Sequence, residues 1–314
     1  MSENESSGLE RTLTLRGAVT LNLLDMIGVG PFITLPLLLG AMGGPQAMLG
    51  WFLGAGLAVC DGLVWAELGA AMPEAGGTYA YLREMFGGKV GRWLSFLFVF
   101  QLCLSAPLSV ASGCIGLGQY ATFLSPGMQG GGKSWTAHLL GYSVGVGAGP
   151  VVWVALAAVA LAVVLLYRSL KEVKWLAVGM LVVVLVTIAW AIGTGVVFGH
   201  WARVVAYPAG AWRLDRGFFV GLGSAMLIAT YDYWGYYNVT FLGGEAKDPG
   251  RTIPRAVLIS IAIVGVLYVG LNASVLAVMG SPAILSAQNV EARRALLSTV
   301  MQTAYAPVFG EHAG

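Results

Sequence analysis

Charge is what this chain has least of: only 10% of its 314 residues are Asp, Glu, Lys or Arg, against about 25% in an ordinary soluble domain. With 57% hydrophobic residues beside so few charges, the chain cannot clothe itself in solvated groups, and a water-soluble globule is excluded. The net charge of +2 lacks the basic excess that grips a polynucleotide, so no nucleic-acid partner is expected. Cysteine is scarce too. Cys103 and Cys114 fall on nearly one face of one expected helix, about 16 Å apart by helical rise, too far for a disulfide, and Cys60 sits in another span. His138, His200 and His312 are scattered, so neither a metal site nor a cofactor is expected. The N-terminus also lacks the basic start of a cleaved signal peptide. Glu3, Glu5 and Glu10 precede its first arginine, Arg11, and residues 1–16 read as a short cytosolic tail.

What is present in excess is apolar sequence and glycine. The 45 glycines are about twice the usual share, as suits helices that approach closely in lipid. Seven apolar stretches are each long enough to cross a bilayer: 17–42, 46–70, 91–121, 150–167, 175–198, 217–243 and 256–279. Lys and Arg in alternate connections number eleven on one side and six on the other, which orients the N-terminus to the cytosol. The segment 121–151 is Gly-rich and reads as an external loop, and 71–90 as an amphiphilic cytosolic one.

Two of the seven spans are interrupted. In "DMIGVGPFITLP" Gly28, Gly30, Pro31 and Pro36 stand where a helix should be continuous, and Pro31 both removes a backbone donor and clashes with the preceding turn. In the sixth span Gly235 lies among Tyr231, Tyr233, Trp234, Tyr236 and Tyr237, a weaker signal, since one glycine costs a helix only about 1 kcal/mol. The two interrupted spans are five apart and start on opposite sides of the membrane. That pattern is the mark of an inverted repeat whose half-helix ends present free N–H and C=O groups to a solute; the alternative is a pair of kinks tolerated by neighbouring helices.

Three carboxylates lie inside expected spans, where an ionisable group points to function: Asp25, Asp61 and Asp232. Asp25 and Asp61 lie at similar depth, about 12 and 14 Å from the cytosolic side by helical rise. If adjacent helices bring them together they share a proton and form an ion-coupling pair. Alternatively Asp25 caps N–H groups at the first break and Asp61 faces a wet cleft. Asp232, within the sixth-span break, either meets a cationic group of the solute or ties up backbone donors freed by unwinding. The five rings between Tyr231 and Tyr237 lie too deep for an interfacial belt and suit the lining or gate of a pocket.

"IGVGPFITLP", "VWAELGAAMPEAGGTYAYLREMFG" and "NVTFLGGEAKDPGRTIPRAVLIS" resemble, in order and spacing, the first-helix break, first cytosolic loop and post-sixth-helix loop of the amino acid/polyamine/organocation transporter superfamily. The last is the most specific: Gly244, Glu245, Pro249, Pro254, Arg255 and Ala256 follow that family's G-E-x-x-x-P-x-x-x-x-P-R-A pattern. The resemblance covers roughly residues 15–280. It implies an all-α, five-plus-five inverted-repeat fold of the LeuT type, with residues 17–198 as the first repeat and 217–279 as the start of the second. It also implies that a solute carboxylate meets backbone N–H groups at Gly28, Val29, Gly30 and Phe32, and that its amine meets the carbonyls of Tyr231, Asp232, Tyr233, Trp234 and Gly235. The charges agree, because N–H groups at a helix start favour anions and carbonyls at a helix end favour cations. Two departures stand out. The Lys that many relatives carry midway along the fifth helix is absent from "WLAVGMLVVVLVTIAWAIGTG", and the family's ten or more helices exceed the seven here. Residues 280–314 read as an external loop and the possible start of an eighth helix, so the expectation is a C-terminally truncated chain.

The function expected on these grounds is secondary transport of amino acids or related amines across the cytoplasmic membrane. The partners are a small-molecule substrate and the lipid bilayer, with no enzymatic activity. A polyamine carrier or exchanger is the nearest alternative, and a channel or non-transporting nutrient receptor the alternative of another class. An intramembrane aspartyl protease matches only at the Tyr231-Asp232 pair, its G-x-G-D partner motif being absent.

Overall fold

Two of the described helices open on side-chain caps. The computed structural model describes residues 11–28, 30–125, 132–139, 142–167, 170–286 and 295–310. Helix α1 (Leu15–Met26) opens on Thr14, whose hydroxyl accepts from the Gly17 N–H, satisfying one of the orphan donors of the first turn. After a break come α2 (Gly30–Ile33) and α3 (Leu35–Met42), then α4 (Leu49–Ala71), α5 (Thr78–Phe86) and α6 (Gly88–Leu124). Next follow α7 (Pro150–Leu166), α8 (Leu170–Phe198) and α9 (Arg216–Tyr233), the last capped by the Asp215 carboxylate on the Phe218 N–H. The described chain closes with α10 (Pro249–Met279), α11 (Ser281–Leu285) and α12 (Leu296–Phe309). Pro31, Pro150 and Pro249 all sit in first helical turns, where the missing N–H has no intrahelical partner to lose.

Among the described residues, four helices are long and apolar enough to cross a membrane: Pro45–Ala71, Gly88–Ala121, Lys174–Phe198 and Pro249–Met279. The pair Leu15–Ile33 and Leu35–Met42, bent by 58°, makes a fifth if counted as one span, and Pro150–Leu165 is a shorter apolar helix. Several such helices make this a multi-pass membrane protein. The expected 217–243 span is shorter than the sequence suggests. Its α-helix stops at Tyr233, and only 3-10 turns at Asn238–Phe241 and Gly243–Glu245 follow before α10.

Two connections carry regular structure of their own. Within 121–151, read as a loop, an antiparallel hairpin pairs Lys133–Leu139 with Tyr142–Ala148. It is an exception to the all-α class among the described residues, and its Val and aromatic content is what the loop reading overlooked. Within 71–90, α5 forms between two glycines at positive φ, Gly77 and Gly87.

The core gathers on α10, which packs against α1, α4 and α8. Of its most apolar stretch 44% is buried, against 6% for α6. Phe96, Phe100, Leu104 and Leu108 of α6 are exposed, as lipid-facing side chains are. Lipid gives no hydrophobic drive between helices, so close approach of small residues does the holding: Gly50 and Gly54 of α4 meet Ala225 and Ala229 of α9. A Cβ on Gly50 would lie 2.9 Å from the Ala225 carbonyl carbon. We therefore expect Gly50→Leu to force α4 from α9 and to destabilise the fold by about 1–3 kcal/mol, read as a lowered unfolding temperature in detergent. An unchanged midpoint would remove this contact from the account.

The second and third of the stretches that carry the family resemblance meet, and the residues just before α1 join them. Leu13 pairs in parallel with Ala246, its N–H donating to the Glu245 carbonyl at 2.9 Å and its carbonyl accepting from Lys247 N–H at 2.9 Å. Ala75 bridges Leu242, with Gly76 N–H on the Phe241 carbonyl at 3.0 Å.

Candidate functional site

The interruption after α1 and the interruption after α9 touch. A Cβ placed on Gly30 would lie 2.2 Å from Oδ1 of Asp232, and one on Gly235 would lie 2.5 Å from Oδ2 of Asp25 and 3.2 Å from the Met26 nitrogen. Only glycine permits either approach. Gly235 also holds φ at +117°, a region that other residues enter only under strain.

Asn22 joins the two breaks. It is fully buried; its Nδ2 donates to the Tyr236 carbonyl at 2.7 Å and its Oδ1 accepts from Val239 N–H at 3.0 Å. One side chain on α1 thus satisfies two backbone groups that the end of α9 would leave unpaired. From α10, the Tyr268 hydroxyl donates to the Met26 carbonyl at 2.7 Å, fixing the last turn of α1.

The three carboxylates surround this junction without forming a pair. Asp25 accepts from the Asn238 amide. Asp61 accepts at a single oxygen from the Tyr236 hydroxyl at 2.6 Å and from Trp65 Nε1 at 2.9 Å. No hydrogen bond joins Asp25 to Asp61 among the described residues; each is tied instead to the unwound segment, two residues apart. Asp232 is 5% exposed, and its Oδ2 accepts from the Thr34 hydroxyl at 2.6 Å. Among the described residues no Lys, Arg or His forms an ion pair with any of the three, the pair present being exposed Arg251 with Asp248.

The backbone groups expected to face a solute divide. Gly28 N–H turns back on the Met26 carbonyl at 3.1 Å. Val29 lies outside the described residues. Gly30 is covered by the Asp232 carboxylate, and Phe32 lends its carbonyl to the Tyr120 hydroxyl at 3.1 Å. On the other break the Tyr231 carbonyl accepts from Trp234 N–H at 3.1 Å and the Gly235 carbonyl from Asn238 N–H at 3.1 Å. Among the described residues no hydrogen bond reaches the carbonyls of Asp232, Tyr233 or Trp234. They form the negative end of an 18-residue helix and can accept a cation.

Aromatic rings close the junction. Tyr233 packs on Trp51 and Tyr268, with ring centroids 5.9 and 6.0 Å away, and Trp65 stacks on Tyr237 at 4.9 Å. Tyr231 and Trp234 are exposed, and Trp234 Nε1 donates to the Tyr237 hydroxyl at 2.6 Å. Sequence reasoning missed Asn22, Thr34, Asn238 and Tyr268. Asn22 carried a usable signal, an amide within an apolar run, but attention to ionisable groups passed over it.

The amino acid permease family matches residues 13–312 of this chain. An uncharacterized transporter of Mycobacterium bovis is 30% identical over 276 residues, covering 87% of this chain and 54% of the relative. The serine/threonine exchanger SteT of Bacillus subtilis is 26% identical over 292 residues, covering 90% of this chain and 58% of its own length. The Asc-type amino acid transporter 1 of Mus musculus is 26% identical over 294 residues, covering 91% and 51%. The chain therefore spans about half the length of the curated relatives it matches.

Proposed function

From the premise that this chain belongs to the amino acid permease family, we propose that its protein is a secondary transporter of amino acids or related amines. It works by alternating access in the cytoplasmic membrane with the N-terminus in the cytosol. The observation that carries the proposal is the direct contact of the two breaks, Gly30 on Asp232 and Gly235 on Asp25, with the carbonyls of Asp232, Tyr233 and Trp234 without donors among the described residues. Unpaired backbone at membrane depth is tolerated only where it is buried in protein or lines a cavity. The placing of two interrupted helices against one another supports a five-plus-five inverted repeat with its solute site at their junction. A solute carboxylate would be held at the break running from Gly28 through Val29 to Phe32, and its amine at the end of α9, from Tyr231 to Gly235. The relatives named as a serine/threonine exchanger and as an Asc-type amino acid transporter support that substrate class.

Counterflow of labelled L-serine or L-threonine in proteoliposomes tests this reading. Saturable exchange is expected; linear, non-saturable flux would make the protein a pore, and no flux with no ligand-induced stabilisation would remove the transport reading. Proton coupling through Asp25 and Asp61 belongs to the same proposal, because both carboxylates bond the unwound segment and a proton at either changes how that segment is held. Uptake by Asp25→Asn or Asp61→Asn is expected to lose its dependence on external pH. If both variants keep the wild-type pH profile, neither residue couples.

A further inference from the structure

Asp232 is a buried carboxylate with a neutral hydroxyl as its partner and no cation among the described residues. An ionised carboxylate in that position is costly, and burial favours its neutral form unless a positive charge arrives. The carbonyls of Asp232, Tyr233 and Trp234 at the end of α9, without donors among the described residues, add negative potential at that helix end. Among the described residues, the titratable groups that feel its charge are Tyr233 on its own helix and Tyr268 from α10. Both are neutral at physiological pH and neither can supply the missing charge. Helix α3 and the neighbouring 3-10 turn Pro45–Met48, both packed on α9, bring no Asp, Glu, Lys, Arg or His. On α4, Asp61 is engaged with Trp65 and Tyr236.

We propose that Asp232 is a proton-for-ammonium exchange site: it holds a proton on Oδ1 in the empty protein and gives that proton up when a solute's ammonium group binds. Oδ1 lies against Gly30 and accepts no hydrogen bond among the described residues, so it is the oxygen free to carry the proton. The exchange balances. The O–H bond of the carboxyl breaks, the proton passes to water, and the resulting carboxylate pairs with the ammonium, leaving the net charge of the site unchanged. This assignment rests on the transporter reading above, but it places the ligand-linked proton on Asp232, apart from Asp25 and Asp61.

The test is a binding measurement on the purified full chain in weakly buffered detergent, with L-serine, L-threonine and putrescine as probes and a pH-indicator dye reporting protons released. For wild type, about one proton is expected per probe bound below neutral pH. Affinity should tighten up to about tenfold per unit of rising pH while the carboxyl remains protonated in the empty state. Asp232→Asn should bind without release and without pH dependence. Thr34→Val keeps Asp232 but removes the donor to its Oδ2, so its pH range of release should move upward; this arm stands even if Asp232→Asn does not fold. Binding by wild type without proton release, release that persists in Asp232→Asn, or an unmoved range in Thr34→Val would each overturn the inference while leaving the transporter reading intact. Absence of binding by every probe would sink both.

Discussion

Replacing Asn22 with leucine is expected to destabilise the protein by about 2–6 kcal/mol, since it leaves two buried backbone groups without partners at roughly 1–3 kcal/mol each. The groups are the Tyr236 carbonyl and the Val239 N–H, which meet the two ends of the same amide. Neither can find water, because Asn22 and Val239 are fully buried and Tyr236 is 5% exposed. Asn272 supplies the contrast. It is just as buried, yet its Nδ2 reaches only the carbonyl of Tyr268 one turn back, and its Oδ1 has no partner among the described residues. Asn272→Leu should therefore be close to neutral or mildly stabilising. Thermal unfolding of the two variants side by side, in one detergent, measures the difference. Equal midpoints would mean that Asn22 does not hold the breaks together.

Gly235→Ala is expected to abolish ligand-induced stabilisation and to reduce uptake by more than about tenfold. Two independent penalties fall on that one methyl. The φ of +117° is strained for any residue with a Cβ, by about 1–3 kcal/mol. The methyl would also sit 3.2 Å from the backbone nitrogen of Met26 and against the Asp25 carboxylate, so the unwound segment must back away from α1. Gly223→Ala, on α9, is the control. Nothing lies within 4 Å of a Cβ there, and alanine favours the helix by about 1 kcal/mol. If Gly235→Ala and Gly223→Ala bind and transport alike, the close contact of the two breaks has no part in function.

How much of this was legible beforehand can be judged residue by residue. The first break was visible because Gly28, Gly30 and Pro31 disobey helix chemistry over four residues. The sequence could not say that Pro31 begins the following helix instead of marking the kink, since proline suits both roles. The second break rested on Gly235 alone, and its full extent through the 3-10 turns escaped notice because Val239, Phe241 and Leu242 keep the stretch apolar. Asp25, Asp61 and Asp232 were found by the cost of charge in lipid, a local property of single residues. Their partners were not: Asn238, Tyr236 and Thr34 lie 213, 175 and 198 positions away, and spacing along a chain carries no information about contacts of that range. The expected meeting of Asp25 with Asp61 drew on helical depth, which fixes height in the membrane but not rotation about the helix axis. In the structure the unwound segment stands between them as the shared partner.

The backbone stitch at Leu13 has a mechanical corollary. Two peptide bonds' worth of hydrogen bonding tether it to the loop on either side of Ala246, the same loop that leads from the end of α9 into α10. Residues 11–14, which lead into α1, are thus held to that loop as well as to the helix. A shift of α1 at its start is therefore passed straight to the entry of α10, and a shift there is passed back to α1.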